Sequence, residues 1–171
     1  ERRPVPQEHI DAVKSVVRQR TRDLIDLQLL TGARSGELLS LTTAMIDRSG
    51  DVWTARLEDH KTAHKGKQRL LWFGPKAQLI LRRYLSDRRP DRRLFPIRRD
   101  SYGATVRNAC DRAGVPVWTP HWLRHTAASR LREEHGIEAA QLTLGHSKVD
   151  MTQHYSSHAN ERAMRVAREA G

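Results

Sequence analysis

Two short stretches of the sequence place an arginine three positions from a second polar side chain. The segment TGARSGE carries Arg34 and Glu37, and the segment TPHWLRHTAAS carries His121 and Arg124. Residues three apart share one face of a helix, so Glu37 can orient Arg34, and His121 can project beside Arg124. Guanidinium groups bind phosphate oxygens through two parallel hydrogen bonds. Both stretches therefore suit phosphate chemistry, although an ordinary structural Arg–Glu pair also explains the first.

The helix predicted from Pro120 buries another of its faces. Leu123, Ala127 and Leu131 form an apolar stripe that excludes His121 and Arg124. We therefore expect the histidine and the arginine to lie away from the core. His125 follows His121 by four positions, but no HExxH glutamate and no thiolate cluster accompanies them. The sequence predicts no metal site and no cofactor.

A lysine-rich segment, HKTAHKGKQR, holds Lys61, Lys65, Lys67 and then Arg69. It joins two stretches with strand-like alternation, so it is typical of a hairpin tip. A cationic tip can lie on a phosphate backbone, bring one lysine into an active site as a proton donor, or simply be a solvated turn. We assign Lys65, Lys67 and Arg69 to DNA contacts.

The segment LGHSKVDMTQHY sets His146 nine positions ahead of Tyr155, with the helix breaker Gly145 beside the histidine. A tyrosine hydroxyl has an ordinary pKa of about 10 and is protonated at neutral pH, so it needs help to act as a nucleophile. Taken alone, each of these residues is equally consistent with packing.

The net charge of the chain limits the classes of molecule that it is expected to bind. Thirty-one Lys and Arg stand against 20 Asp and Glu, for a formal net charge of +11, and the sequence pI is near 10.8. Such a surface suits a polyanion, with DNA or RNA ahead of an anionic membrane. No apolar run approaches the roughly 20 residues of a membrane span. The single cysteine, Cys110, is compatible with a reducing compartment and is expected to be buried on a helix.

The elements that must position these residues are mostly helices. Period-2 patterning between residues 44 and 73 predicts two or three antiparallel strands, and Gly32 and Ser35 are expected to end one helix and cap the next. The fold class is α+β, mostly α-helical with one small antiparallel sheet. Helices are predicted over residues 7–20, 22–31, 35–41, 75–89, 101–113, 120–134, 137–144, 151–155 and 160–170.

Read in order, these stretches resemble the catalytic domain of the tyrosine recombinases, the phage-integrase-like family. The matching segments are TGARSGELLSL, HKTAHKGKQRLLWFGP, TPHWLRHTAAS and LGHSKVDMTQHYSSH. Each segment is moderately specific, and the four together, with a small sheet in the right place, cover nearly the whole chain. The resemblance implies a site-specific DNA recombinase, or integrase, that cuts and rejoins strands without a metal.

The resemblance also implies roles for individual residues. Tyr155 would attack the scissile phosphate and form a 3′-phosphotyrosyl intermediate, while Arg34 and Arg124 hold its two non-bridging oxygens. His121 would be a general base or a phosphate-side donor, and His146 a second donor.

A hairpin lysine would protonate the leaving 5′-oxygen. Lys61 fits the Lys-Thr pair that the family usually places at the strand end, although Lys65 and Lys67 lie nearer the next strand and remain alternatives. Glu37 matches the acidic residue that braces the first arginine.

The same resemblance sets expectations for the domain and its partners. Residues 1–171 would form the catalytic domain, with residues 1–6 a linker remnant and the amino-terminal DNA-binding domain absent. The helix at residues 160–171 either packs onto a neighbouring protomer or folds back on its own domain. The expected partners are double-stranded DNA and other protomers in a DNA-bound synaptic complex. Without DNA we expect a monomer, with no membrane association, in the cytoplasm at the nucleoid.

Two other functions are compatible with these residues. A type IB topoisomerase-like enzyme would nick and close DNA by the same chemistry, without exchanging partners. A non-catalytic DNA-binding regulator could keep the fold, but it would not need Arg34, His121, Arg124, His146 and Tyr155 together. A helix-turn-helix centred on Gly145 leaves the other three stretches unexplained.

Overall fold

A computed structural model describes residues 4–57, 69–145 and 157–171 of the chain. Seven helices and a three-stranded antiparallel sheet make up this part, which confirms the predicted α+β class. None of the helices in these ranges is both long and apolar enough to cross a membrane. In chain order the elements are α1 (Gln7–Val16), α2 (Gln19–Thr31), α3 (Ser35–Ser40), a 3-10 turn (Thr43–Met45), β1 (Ile46–Asp47), β2 (Trp53–Leu57), β3 (Arg69–Phe73), α4 (Pro75–Leu81), α5 (Arg99–Ala113), α6 (Pro120–Leu144) and α7 (Ser157–Ala170).

The first predicted helix, residues 7–20, is divided in the structure. Val17 takes an extended backbone, with φ −108° and ψ 162°, and ends α1 after Val16. Two adjacent β-branched residues weaken the helix here, and the extended backbone lets Val17 bury its side chain in the core. Arg22 Nε then donates to the carbonyl oxygen of Val17 at 3.0 Å, so the break is tied to the first turn of α2.

Gly32 ends α2 as predicted. Its φ of 64° lies in the left-handed region, and its N–H donates to the carbonyl oxygen of Gln28 at 2.8 Å. A Cβ at this position would also lie 2.3 Å from Leu144 Cδ2. Glycine is needed both for the turn and for the close approach of the end of α6.

The sheet has the order β1-β2-β3, and both pairings are antiparallel. Ala55 pairs with Ile46 on one side and with Leu71 on the other, and all three side chains are buried. Leu57 pairs with Arg69, so the chain leaves β2 and enters β3 at adjacent positions. The sheet therefore places Leu57 and Arg69, which flank residues 58–68, side by side.

The two helices predicted over residues 120–134 and 137–144 form one element, α6, which is broken at Gly136. This glycine has φ 84° and ψ 169°, well outside helical values. Gly145, with φ 62°, ends α6 in the left-handed conformation. The second half of α6 thus has a defined end immediately before His146.

Helix α7 lies against its own domain and is longer at its start than the predicted helix. Its apolar stripe of Ala163, Val166, Ala167 and Ala170 is buried, as one of the two expectations required. Part of the stripe packs on α6 and part on the sheet around Trp72. The principal core lies among the sheet, the other helices and the first turns of α6, and includes Cys110 on α5.

A hydrogen bond and an ion pair hold the carboxyl-terminal end of α7 in place. The carbonyl oxygen of Gly171 accepts a hydrogen bond from Ala77 N–H at 2.6 Å, and Arg168 forms an ion pair with Asp51. A Cβ on Gly74 would lie only 1.8 Å from the carbonyl oxygen of Ala167. The carboxyl-terminal helix is therefore packed closely onto the start of α4.

Candidate active site

Arg34 lies at the amino-terminal cap of α3, one residue earlier than the predicted cap at Ser35. Glu37 Oε2 accepts the backbone N–H of Arg34 at 2.7 Å, and Glu37 Oε1 lies 2.9 Å from Arg34 Nη1. The carboxylate thus holds both ends of the arginine, as the three-residue spacing predicts. The Arg34 side chain remains 53% exposed, so its guanidinium is braced and still accessible to a ligand.

Arg69 contacts the same carboxylate from β3. Its Nε lies 3.3 Å from Glu37 Oε1, and its Nη1 donates to the carbonyl oxygen of Thr143 at 3.0 Å. Only 10% of the side chain is exposed. This placement differs from the predicted DNA contact, because the guanidinium is turned inward and binds protein groups on α3 and α6.

Arg124 is also buried, at 5% exposure, whereas the position of the apolar stripe predicted that it would lie away from the core. Its Nη1 donates to the carbonyl oxygen of Gly32 and its Nη2 to that of Leu144, both at 2.7 Å. The ends of α2 and α6 thus converge on one guanidinium. Arg124 therefore binds Gly32, two positions before Arg34, and Leu144, two positions before His146.

The charges of the three arginines and Glu37 affect the pKa values of Arg124, Arg69 and Glu37. Burial, and then the charges of Arg69 and Arg34, lower the pKa of Arg124 to about 10. Burial also lowers the pKa of Arg69, against the opposing effect of Glu37. Burial raises the pKa of Glu37, but the charges of the arginines and the N–H of Arg34 outweigh it, so this carboxyl stays below its usual range. Two guanidinium groups contact the Glu37 carboxylate, and the charge of the third, Arg124, also acts on it. Three positive charges beside one negative charge favour a bound anion.

His121 lies in the first turn of α6, where its side chain is exposed. It precedes the buried Arg124 by three residues, and its ring meets that of His125 edge to face, with 5.0 Å between the ring centroids. Within residues 4–57, 69–145 and 157–171, no group of three or more His, Cys, Asp or Glu side chains is arranged to hold a metal ion.

Five predicted site residues lie outside the described residues: Lys61, Lys65, Lys67, His146 and Tyr155. The described residues on either side of the three lysines are Leu57 and Arg69, which pair in the sheet. Gly145, which precedes His146, lies against the guanidinium of Arg69, since a Cβ there would be 2.5 Å from Arg69 Nη1.

The other two tyrosines of the chain are engaged in structural hydrogen bonds. Tyr102 is 1% exposed, its hydroxyl lies 2.9 Å from Gln28 Oε1, and burial raises its pKa far above the usual range. Tyr84 donates a short hydrogen bond to Asp23, and burial together with that bond raises its pKa to about 12. Both hydroxyl groups are therefore engaged within the fold and ionise less readily than that of a free tyrosine.

Sequence reasoning missed the inward role of Arg69. Its position at the start of β3, next to a lysine-rich tip, suggested an exposed cation. The partners of its guanidinium are Glu37, 32 positions before Arg69, and the carbonyl oxygen of Thr143, 74 positions after it. No local pattern in the sequence indicates contacts over such separations.

Comparison with known proteins identifies the family. Residues 7–162 match the model of the phage integrase family, and the chain belongs to that family. It is 29% identical over 141 residues to tyrosine recombinase XerA of Saccharolobus solfataricus, covering 81% of this chain and 46% of that protein. It is 32% identical over 151 residues to tyrosine recombinase XerD of Corynebacterium glutamicum, covering 80% and 48%. The chain thus spans about half the length of these curated relatives.

Solved structures confirm the fold. The integrase from mycobacterium phage Brujita superposes with a TM-score of 0.73 at 22% identity, over 99% of this chain and 58% of that one. The Tn1549 transposon integrase in complex with transposon right end DNA superposes with a TM-score of 0.68 at 20% identity, over 96% and 66%. At this level of identity the likeness establishes a shared fold.

Proposed function

We propose that this chain is the catalytic domain of a site-specific DNA recombinase that cuts and rejoins strands through a 3′-phosphotyrosyl intermediate, without a metal. The observation that carries the proposal is the cluster of Arg34, Arg69 and Arg124 around Glu37, in a member of the phage integrase family. A phosphodiester carries one negative charge and its five-coordinate transition state carries two. The two uncompensated positive charges of the cluster match that state.

The arginines stabilise the charge that develops on phosphorus. Arg34 is braced but exposed, so it can bind one non-bridging oxygen of the scissile phosphate. Arg124 uses one N–H of each terminal nitrogen for the backbone and binds the second oxygen with another. A preorganised donor of this kind is typically worth roughly 3 kcal/mol of transition-state stabilisation.

The predicted residues can supply the nucleophile and both proton transfers of the covalent step. The oxygen of Tyr155 attacks phosphorus, the phosphorus–O5′ bond breaks, and the DNA 3′-phosphate becomes linked to the tyrosine. His121 accepts the tyrosine proton or donates to the phosphate, and His146 donates to a phosphate oxygen. Lys61, with Lys65 and Lys67 as alternatives, gives a proton to the leaving 5′-oxygen. The reverse attack by a 5′-hydroxyl rejoins the strand.

We further propose that DNA and other copies of the protein are its partners, and that it works in the cytoplasm at the nucleoid. Several structures of similar fold contain DNA: one is XerH bound to its difH substrate, and another is the Tn1549 integrase with transposon end DNA. The formal net charge of +11 supports the same type of ligand.

The direct test is covalent trapping. Nicked duplexes of randomised sequence, which lose the cleaved fragment, are incubated with the protein at low salt in EDTA. We expect a denaturant-resistant protein–DNA adduct that Tyr155→Phe abolishes while leaving DNA binding intact. Binding without an adduct at saturating DNA would instead favour a regulator on the same fold. Among active outcomes, joining of two separate duplexes supports a recombinase, and relaxation of supercoils alone supports a topoisomerase-like enzyme.

A further inference from the structure

We propose that Arg69 is a positioning residue, which couples the brace of Arg34 to the segment that presents His146. The inference rests on the proposed strand-cleavage function. It replaces the earlier assignment of Arg69 to a DNA contact, because the buried guanidinium faces protein groups.

The first half of the coupling is the shared carboxylate. Glu37 Oε1 accepts from Arg34 Nη1 at 2.9 Å and from Arg69 Nε at 3.3 Å. One oxygen atom therefore fixes two guanidinium groups relative to each other. Without Arg69, Arg34 alone among the described residues would hold the Glu37 side chain, and the Arg34 side chain is itself half exposed.

The second half is the end of α6. Arg69 Nη1 donates to the carbonyl oxygen of Thr143, an acceptor of the kind that the last turn of a helix leaves without a partner. The same nitrogen lies where a side chain on Gly145 would be, 2.5 Å from the position of its Cβ. Arg69 thus holds the helix end by a hydrogen bond and the following left-handed turn by close packing.

The geometry requires an arginine. A planar fork reaches Glu37 with Nε and Thr143 with Nη1 at the same time, whereas a lysine ammonium on a flexible chain binds as a point charge. Arg69 Nη2 is buried and makes no hydrogen bond within the part of the chain that the structure describes.

The test compares Arg69→Lys with Arg56→Lys. Arg56 is exposed on β2, in the same sheet, and has no contact with the cluster among the described residues, so it carries the same change as a control. Single-turnover cleavage of the nicked duplex is measured at saturating DNA. For Arg69→Lys we expect a rate lowered roughly 30-fold or more, with unchanged DNA affinity. Arg56→Lys should cleave like the wild type.

Two further readouts separate positioning from a general structural effect. If Arg69 acts through Glu37, adding Arg69→Lys to Glu37→Gln should lower the rate less than the product of the two single effects. The second readout uses a duplex in which sulfur replaces the bridging 5′-oxygen, because the sulfur leaves without needing a proton. If Arg69 positions the phosphate-binding groups and not the proton donor, Arg69→Lys should cleave this duplex as slowly, relative to the wild type, as it cleaves the ordinary one. Recovery on that substrate, or full additivity, would overturn the inference.

Hydrogen exchange supplies a measure that does not depend on activity. Arg69→Lys should increase amide exchange over residues 141–145, at the end of α6, and Arg56→Lys should not. Equal exchange in both variants would contradict the inference whether or not DNA is cut. If the wild type forms no adduct, the proposed function fails. If the wild type and Arg69→Lys cleave equally, only the role of Arg69 fails.

Discussion

At the scale of single residues, Glu37 links the two arginines Arg34 and Arg69 of the candidate site. Its carboxylate binds the side chain and backbone of Arg34 as well as the side chain of Arg69. These contacts hold its pKa below the ordinary value of 4.5 despite partial burial. The carboxylate therefore stays ionised throughout the neutral range and keeps both arginines in place.

The first prediction concerns the pH dependence that follows from this carboxylate. Because the pKa of Glu37 is lower in the folded state than in the unfolded state, its ionisation stabilises the fold above pH 4.5, and this contribution is lost as pH falls through the lower, folded pKa. The difference in unfolding free energy between the wild type and Glu37→Gln should therefore be largest near neutral pH and shrink on acidification. Denaturant titrations across that range measure it; a difference that grows in acid would contradict the contacts.

Residues with local partners could be predicted from the sequence, and those with distant partners could not. The three-residue spacing of Arg34 and Glu37 is sufficient to indicate their pairing. The burial of Arg124 depends on carbonyl groups at Gly32 and Leu144, 92 and 20 positions away. No periodicity within α6 contains that information, so the pattern assigned Arg124 to the wrong environment.

At the scale of elements, α7 is the part whose placement the sequence left open. Its apolar stripe was predicted correctly from helical spacing, but spacing does not say which surface the stripe covers. In the structure it covers α6 and the sheet of the same chain. The break after α1 was also missed, because the burial of Val17 outweighs the helical pattern there.

The second prediction tests the contact between α7 and α4. A Cβ on Gly74 would lie 1.8 Å from the carbonyl oxygen of Ala167, so Gly74→Ala must displace α7. We expect a loss of roughly 1–3 kcal/mol in unfolding free energy and faster proteolysis of the carboxyl-terminal helix.

Gly103→Ala is the matched control for this change. Gly103 lies inside α5, and a Cβ there meets nothing within 4 Å. Alanine at such a helical position should gain about 0.5–1 kcal/mol. Equal stability of the two variants in thermal melts would show that α7 does not pack on Gly74.

At the scale of the whole molecule, α7 packs on the chain that carries it. The four stripe residues of α7 are at most 9% exposed within a single chain, so this helix presents no unpaired apolar face. We therefore predict a monomer in the absence of DNA. Sedimentation equilibrium measures the mass directly, and the expected value is that of one 19.7 kDa chain. A stable dimer in free solution would mean that α7 packs on a second copy.

The most direct measurement is the chemical identity of the DNA-linked residue. The trapped adduct is digested with nuclease and protease, and the peptide that carries the 3′-phosphate is sequenced by mass spectrometry. We predict modification of Tyr155 alone, because burial raises the pKa of both Tyr84 and Tyr102, and their hydroxyl groups are held in hydrogen bonds with Asp23 and Gln28. A phosphate on either of those tyrosines, or on a serine or histidine, would contradict the central claim that Tyr155 is the nucleophile.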